Sequence, residues 1–164
     1  MKLNIDRINS SSPYTVSLDE RGTCHLVTDS GVMYLISFIE DDLLQYAESY
    51  QMIISNVSNK KSPRDSKLRR TILAIIYEFF ENSEHALLYI CDTGDRKQRM
   101  RQRLFSYWFN SSSRKSDFAF MSADITDIEG IQNYAAIILR IDNPSFESIM
   151  NEFYMTVRVL RQKP

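Results

Sequence analysis

The pattern of apolar and polar positions is clearest in the middle of the chain. Residues 86–91 are apolar on both faces of an extended strand, and such a strand must be covered from both sides. Residues 92–94 then predict a tight turn, and residues 95–109 predict a helix. The pattern therefore places a strand near the centre of a sheet and a helix directly after it.

The segments on either side also alternate between apolar and polar positions in ways that predict strands and helices. Short turns containing glycine join the first three strands, which is typical of an antiparallel meander. Before the central strand we expect a loose lead-in at 1–12, strands at 14–18, 23–28 and 32–39, a short helix at 40–48, a strand at 50–57 and a long helix at 63–81 capped by Ser62. After the central helix we expect strands at 118–124 and 134–141 and a final helix that begins after Asn143 and Pro144.

This order of elements, β-β-β-β-α-β-α-β-β-α, predicts an α+β protein with a mixed, mostly antiparallel sheet of about seven strands. The 164 residues are enough for a single domain with a hydrophobic core, so residues 1–164 are expected to form one. A hydrophobic content of 43% and a charged content of 25% are typical of a globular protein rather than a disordered one.

The expected cellular location and metal content depend on whether the sequence has membrane, signal or metal-binding segments. No apolar run approaches the ~20 residues of a membrane span, and the N-terminus has no apolar signal segment, so we expect a cytoplasmic protein without a membrane partner. Two Cys and two His without close Cys spacing do not favour zinc. We expect no metal and no cofactor, with Cys24 and Cys91 as buried thiols and His25 and His85 on the surface.

The charge is unevenly distributed along the chain. The net charge is −1, but residues 63–115 hold 11 basic and 6 acidic residues. A basic block favours an anionic partner, although the acidic flanking segments could also neutralise it. Because the pI is about 6.1, a nucleic-acid partner is possible but not favoured.

The first turn of the central helix breaks an electrostatic rule. Asp95 and Gln98 have the spacing of a capping box, yet Arg96, Lys97 and Arg99 follow at once, where the helix dipole disfavours cations by about 0.3–1 kcal/mol each. Either a bound anion compensates them, or Asp92 and Asp95 pair with them.

A second basic run surrounds the start of the 63–81 helix, and loops of this kind tend to gather at one side of a sheet. We call the combined set the basic rim and expect it to bind a phosphorylated ligand at two helix N-termini. The candidate ligand-binding residues are Arg64, Lys67, Asp92, Asp95, Arg96, Lys97, Arg99 and Arg103.

Arg101 falls within the apolar arc of the same helix. An Arg on an apolar face must pair with a carboxylate or an anion, since an unpaired buried charge is costly. Asp92, at the end of the preceding strand, is the predicted partner, and the pair would hold the strand to its helix.

Catalytic residues are harder to identify. Cys91 has no histidine near it in the sequence, and acidic residues at 124–129 fit a turn as well as a cation site. No nucleophile or metalloprotease motif is present. The sequence leaves open whether the protein is an enzyme, and also leaves open its oligomeric state.

Several motifs in the middle of the chain resemble a known family. Tyr-Ile-Cys-Asp at 89–92 with Asp-Arg at 95–96, Arg-x-Arg-Leu-Phe at 101–105 and Trp-Phe at 108–109 resemble a family of uncharacterised bacterial proteins of about this length, known mainly from Bacteroidetes. Thr-Ile at 71–72 and Glu-Phe-Phe at 78–80 fit the same family. The resemblance implies a cytoplasmic bacterial setting and no particular activity.

The order of elements from 50 to 141 is similar to the second half of the GCN5-related acetyltransferase fold. In that fold, the loop before the first of these helices wraps the pyrophosphate of coenzyme A with a glycine-containing motif. Here residues 61–67 contain no glycine. The sequence thus supports three hypotheses: an anion-binding protein, an acyltransferase-like enzyme that uses the same rim for its cofactor, and a protein–protein interaction module.

Overall fold

The computed structural model describes residues 1–91, 98–126, 130 and 132–162. Its elements in chain order are α1 (Ile5–Ser11), β1 (Ser17–Leu18), β2 (Cys24–Val27), β3 (Met33–Asp41), β4 (Glu48–Asn56), α2 (Ser66–Phe79), β5 (His85–Cys91), α3 (Gln98–Asn110), a 3-10 turn (Lys115–Asp117), β6 (Phe118–Thr126), β7 (Gln132–Arg140) and α4 (Phe146–Gln162). The strands form a seven-stranded sheet in the order β1-β2-β3-β4-β5-β7-β6. The expected α+β class is therefore confirmed.

The predicted antiparallel meander of the first three strands is confirmed, and the other pairings, which the sequence did not assign, make the sheet mixed. β1, β2 and β3 form an antiparallel meander, β5 pairs antiparallel with β7, and β7 pairs antiparallel with β6. β4 and β5 run parallel. β5 lies between β4 and β7, so the strand that is apolar on both faces is an inner strand of the sheet, as expected.

The chain divides into two compact units. Unit 1 comprises Met1–Ile39 and Met52–Glu81. Its core contains the apolar stripe of α2, with the Phe79 ring stacked on Phe38 at a centroid distance of 4.6 Å. The stripe residues Leu68, Ile72, Ile75, Ile76 and Phe79 are all buried, and their spacing places them on one side of the helix.

Unit 2 comprises Glu40–Gln51 and Asn82–Pro164. One face of its sheet packs against α4 through a core that includes Leu88, Ile137 and the buried α4 residues Ile149 and Phe153. The opposite face of β5 and β7 lies against α3. The prediction that residues 1–164 form a single domain stays a prediction.

The N-terminal residues are not the expected loose lead-in. They form α1, in which the Asn4 side chain caps the helix by accepting hydrogen bonds from the N–H groups of Asp6 and Arg7, both at 3.1 Å. Ile8 is fully buried. A seven-residue helix is too short to be stable alone, so contacts with α2 stabilise it, and the sequence pattern did not reveal those contacts.

The short helix expected at 40–48 is also wrong. β3 continues to Asp41 and β4 begins at Glu48, so only a short connection remains. The carboxylate of Glu152 in α4 accepts hydrogen bonds from the backbone N–H groups of Gln45 at 2.7 Å and Tyr46 at 3.2 Å. These bonds to a distant side chain replace the helical hydrogen bonds that the local pattern suggested.

Candidate functional site

The carboxyl end of β5 leads towards α3, and aromatic rings pack between this helix and the sheet. Tyr89 of β5 stacks on Phe105 of α3 with a centroid distance of 4.5 Å and an interplanar angle of 8°. One turn later, Phe109 contacts the rings of Phe118 and Phe120 at the start of β6. These contacts fix α3 along the sheet face that carries Tyr89.

Tyr134 lies on the same face, beyond Tyr89 in the direction of the carboxyl end of β5. The strand register pairs it with Cys91, the last residue of β5, and with Asp124 of β6. Tyr134 is only 4% exposed to solvent. In the part of the chain that the structure describes, its buried hydroxyl has no hydrogen-bond partner. Buried hydroxyl groups without a hydrogen-bond partner are uncommon. The Tyr134 hydroxyl therefore indicates a candidate binding site.

Most of the predicted ligand-binding residues near α3 cannot be compared with the structure. Asp92, Asp95, Arg96 and Lys97 lie outside the described residues, and so does the start of the predicted helix at 95. Arg99 belongs to α3, but its side chain and that of Arg101 are also outside the description. Arg103 is exposed on α3. The predicted Asp92–Arg101 ion pair therefore stays a prediction.

The other half of the basic rim lies at the start of α2, in unit 1. The helix cap is Asp65 and not Ser62, since the Asp65 carboxylate accepts hydrogen bonds from the N–H groups of Lys67 at 2.9 Å and Leu68 at 3.0 Å. Lys67 donates to the Asp29 carboxylate at 2.7 Å. Arg64 is exposed. The chain itself thus supplies a carboxylate at this helix N-terminus and another beside Lys67.

Hydrogen bonds and charges around Asp65 change the titration of the groups at this cap. The Tyr14 hydroxyl donates to Asp65 at 2.7 Å. Burial by itself raises the pKa of Asp65, but the hydrogen bonds from Tyr14, Leu68 and Lys67 lower it on balance. The hydrogen bond to Asp29 raises the pKa of Lys67. Both groups are therefore held in their charged forms, which is the arrangement of a structural ion-pair network.

His85 is buried and not on the surface, which corrects the expectation from sequence. Its Nε2 lies 3.1 Å from Asn82 Nδ2 and 3.4 Å from Glu48 Oε2, and its ring meets Tyr50 edge-on. Asn82 Oδ1 accepts a hydrogen bond from the Glu84 N–H, so Nδ2 is the atom that faces the imidazole and donates to it. The ring thus connects the turn before β5 to Glu48 at the start of β4.

Only a weak sign of this arrangement is visible in the sequence, namely a turn-forming Asn three residues before the histidine. Cys24 is buried as expected, and burial raises the pKa of its thiol to about 12. The side chain of Cys91 lies outside the description. Among the residues with described positions, no three His, Cys, Asp or Glu side chains come together in a way that could hold a metal ion. In the same residues, no helix has the length and apolar character needed to cross a membrane.

The fold defines an α+β protein whose mixed sheet carries α3 and α4 on the two faces of unit 2. Within that class, the chain belongs to a family of unknown function, DUF6169, whose model matches residues 64–155. The match agrees with the family resemblance drawn from the sequence and leaves a bacterial origin as a prediction.

Two further comparisons add little to the family assignment. No curated protein matches the chain. A solved structure described as a "Putative Acetyltransferase" from Acinetobacter baylyi is 13% identical, with 85% of this chain and 68% of that chain covered and a TM-score of 0.37. A similarity at this level carries no argument about function.

Proposed function

We propose that this is a cytoplasmic binding protein for a small anionic ligand, best suited to a phosphate group, held where β5 ends and α3 begins. The observation that carries the proposal is the buried hydroxyl of Tyr134, which has no hydrogen-bond partner in the described part of the chain. Three properties of this end of the sheet support it.

The first property is the helix that follows β5. The free backbone N–H groups of a helix N-terminus and the positive end of its dipole both favour an anion. α3 has 13 described residues, long enough for a substantial dipole. In α/β arrangements, ligands bind where strands end at their carboxyl edge, and residues 92–97 follow the carboxyl end of β5 in the sequence.

The second property is the charge that the sequence supplies there. Arg96, Lys97 and Arg99 precede or begin α3, and Arg103 is exposed one turn further on. An anion would remove the unfavourable interaction between the first cations and the helix dipole.

The third property is the Tyr134 hydroxyl itself. Leaving a buried hydroxyl unpaired costs about 1–3 kcal/mol. A ligand oxygen that accepts a hydrogen bond from Tyr134 would recover this free energy, and a phosphate offers several such oxygens.

The proposal rests on the α3 half of the basic rim. At α2, Asp65 already accepts the hydrogen bonds that an anion would accept, and Asp29 already pairs with Lys67. The proposed site therefore does not include Arg64 and Lys67, which the sequence predicts to bind the ligand. An acyltransferase-like enzyme that holds the pyrophosphate of a coenzyme A-type cofactor at the α3 end is the alternative, and a nucleic-acid backbone is less favoured because of the pI.

The proposal is tested by thermal denaturation in the presence of inorganic phosphate, pyrophosphate, acetyl-coenzyme A and a short oligonucleotide. A ligand at 100 times its Kd stabilises the folded state by about 2.7 kcal/mol. Stabilisation by the phosphates alone supports the binding protein, and stabilisation by acetyl-coenzyme A well beyond that of pyrophosphate supports the enzyme.

Tyr134→Phe removes only the hydroxyl and should reduce the ligand-induced stabilisation. Tyr46→Phe, which alters a tyrosine that is 61% exposed, is the matched control and should leave it unchanged. No stabilisation by any of these compounds would overturn the proposal and favour a protein–protein interaction module. Full stabilisation of Tyr134→Phe would show that the ligand binds away from Tyr134 and would overturn the proposed site.

A further inference from the structure

β6 is an outer strand of the sheet, and its hydrogen-bonding direction can be assigned. Ile141 N–H donates to Asp117 O at 3.0 Å, one position beyond the β6–β7 pairs, so residue 117 and every second residue after it face β7. The alternate residues therefore direct their backbone N–H and C=O groups away from β7. These outward residues are Phe118, Phe120, Ser122, Asp124 and Thr126.

Little in the described structure covers this edge. The Phe118 N–H bonds to Lys115 O, and the Asp124 carbonyl accepts a hydrogen bond from Arg161 Nε at 2.9 Å. For Phe120, Ser122 and Thr126, the described residues provide no outward backbone bond. Natural edge strands are usually protected by lysine, proline or a bulge, and residues 118–126 contain no lysine or proline. In the part of the chain that the structure describes, the edge is thus open to pairing with another strand.

One flank of α4 borders the same edge. Glu147, Tyr154, Arg158 and Arg161 fall within an arc of about 60° on the helix. Because Arg161 contacts the Asp124 carbonyl, this arc faces β6. Tyr154 is 60% exposed, and the three charged residues are exposed as well.

We infer that the β6 edge pairs antiparallel with β6 of a second copy of this chain, about a two-fold axis at Ser122. In this register, Phe120 lies opposite the partner's Asp124, and the outward N–H and C=O groups of Phe120 and Ser122 bond across the axis. The Asp124 carbonyl has a second lone pair for the partner's Phe120 N–H besides its bond from Arg161. Asp124 is the only charged residue in the strand, and the register never places it opposite another carboxylate.

The charges on α4 favour a second copy of this chain, rather than a strand of another protein, as the partner of the β6 edge. An antiparallel approach of two α4 helices centred on Tyr154 brings Glu147 towards the partner's Arg161. The same two-fold axis repeats this contact, so one surface supplies both halves of two ion pairs. The self-complementary charge and the open edge lie on the same side of unit 2.

Sedimentation equilibrium of the full chain is the primary test. We expect a particle of twice the 19.2 kDa chain mass. Glu147→Arg and Arg161→Glu should each weaken the dimer at least tenfold because like charges then meet. The double variant restores opposite charges and should recover most of the affinity. Glu20→Arg, an exposed change in a turn of unit 1, is the control and should have no effect.

Ser122→Cys gives an independent test of the register. Directly opposed residues in a bonded antiparallel pair have Cα atoms about 5.5 Å apart, within the range of a disulfide. Oxidation should therefore produce covalent dimers of Ser122→Cys and none of Ser30→Cys, an exposed control. A monomeric wild-type protein, or a dimer that is insensitive to the charge variants and is not cross-linked through residue 122, would overturn the inference.

Discussion

Arg7 and Glu78 form an ion pair between α1 and α2, with Arg7 Nε 2.9 Å from Glu78 Oε2. The Glu78 side chain is only 5% exposed, and its other oxygen accepts hydrogen bonds from the Asn4 N–H at 2.9 Å and from Arg7 Nη2 at 3.0 Å. Among the described residues, the N-terminal segment thus supplies the partners of this buried carboxylate on α2.

We predict that Arg7→Met lowers the free energy of unfolding by about 1–3 kcal/mol, because the Glu78 carboxylate loses its charged partner and stays buried. Urea denaturation measures the change. Arg21→Met, an exposed change in a turn, is the control. Equal effects of the two substitutions would show that the ion pair does not stabilise the fold.

Asp65 should make the stability of the protein depend on pH. Its folded-state pKa lies below its ordinary value of about 3.9, so its stabilisation is present above about pH 4 and is lost as the pH falls through the folded-state pKa. Asp65→Asn keeps a capping side chain but cannot titrate. We expect the free energy of unfolding of this variant to fall less than that of wild type between about pH 5 and pH 2.

Urea denaturation at a series of pH values measures this difference. Asp6→Asn replaces an exposed carboxylate in α1 and should follow the wild-type curve. If the Asp65→Asn curve also follows wild type, the hydrogen bonds to Asp65 contribute no pH-dependent stability.

The arginines at the start of α3 give a prediction with two opposite outcomes. Arg96→Gln with Arg99→Gln should abolish the phosphate-induced stabilisation and should slightly raise the melting temperature in anion-free buffer, since the conflict with the helix dipole is relieved. In the wild type, the stabilisation should weaken as salt is added. A lower melting temperature of the double variant would show instead that these arginines pair with Asp92 or Asp95.

Arg101 should prove structurally important. It precedes Phe105 and Phe109 at intervals of four residues, and both of those rings are buried. Helical spacing therefore still predicts a position on the packed face of α3. Arg101→Ala should cost about 3–5 kcal/mol if it breaks a buried ion pair. A loss below about 1 kcal/mol in urea denaturation would place the side chain in solvent.

The strands were predictable because each one carries its own pattern. The two apolar faces of β5 indicated its inner position, and the alternation in β2, β3 and β4 gave their approximate bounds. The errors at 1–12 and 40–48 have a common physical cause. In both segments a distant carboxylate, Glu78 or Glu152, accepts backbone hydrogen bonds, and no local pattern contains that partner.

The candidate site was only partly predictable for a similar reason. The sequence indicated cations and a helix start after β5, which are local features. The importance of Tyr134 depends on the register that places it opposite Cys91, more than 40 positions earlier in the chain. The sequence alone predicts His85 on the surface. Its contact with Glu48 depends on the parallel pairing of β4 and β5, and no local sequence pattern contains that pairing.

The hydrogen bonds from Gln45 and Tyr46 to Glu152 have a consequence for folding during synthesis. The two backbone donors precede their acceptor by 107 and 106 residues. At a translation rate of about 5–20 residues per second, the connection between β3 and β4 emerges from the ribosome roughly 5–20 seconds before the carboxylate that holds it. Unit 2 can therefore acquire its final arrangement only after α4 has emerged, and until then the connection lacks the carboxylate that accepts its backbone hydrogen bonds.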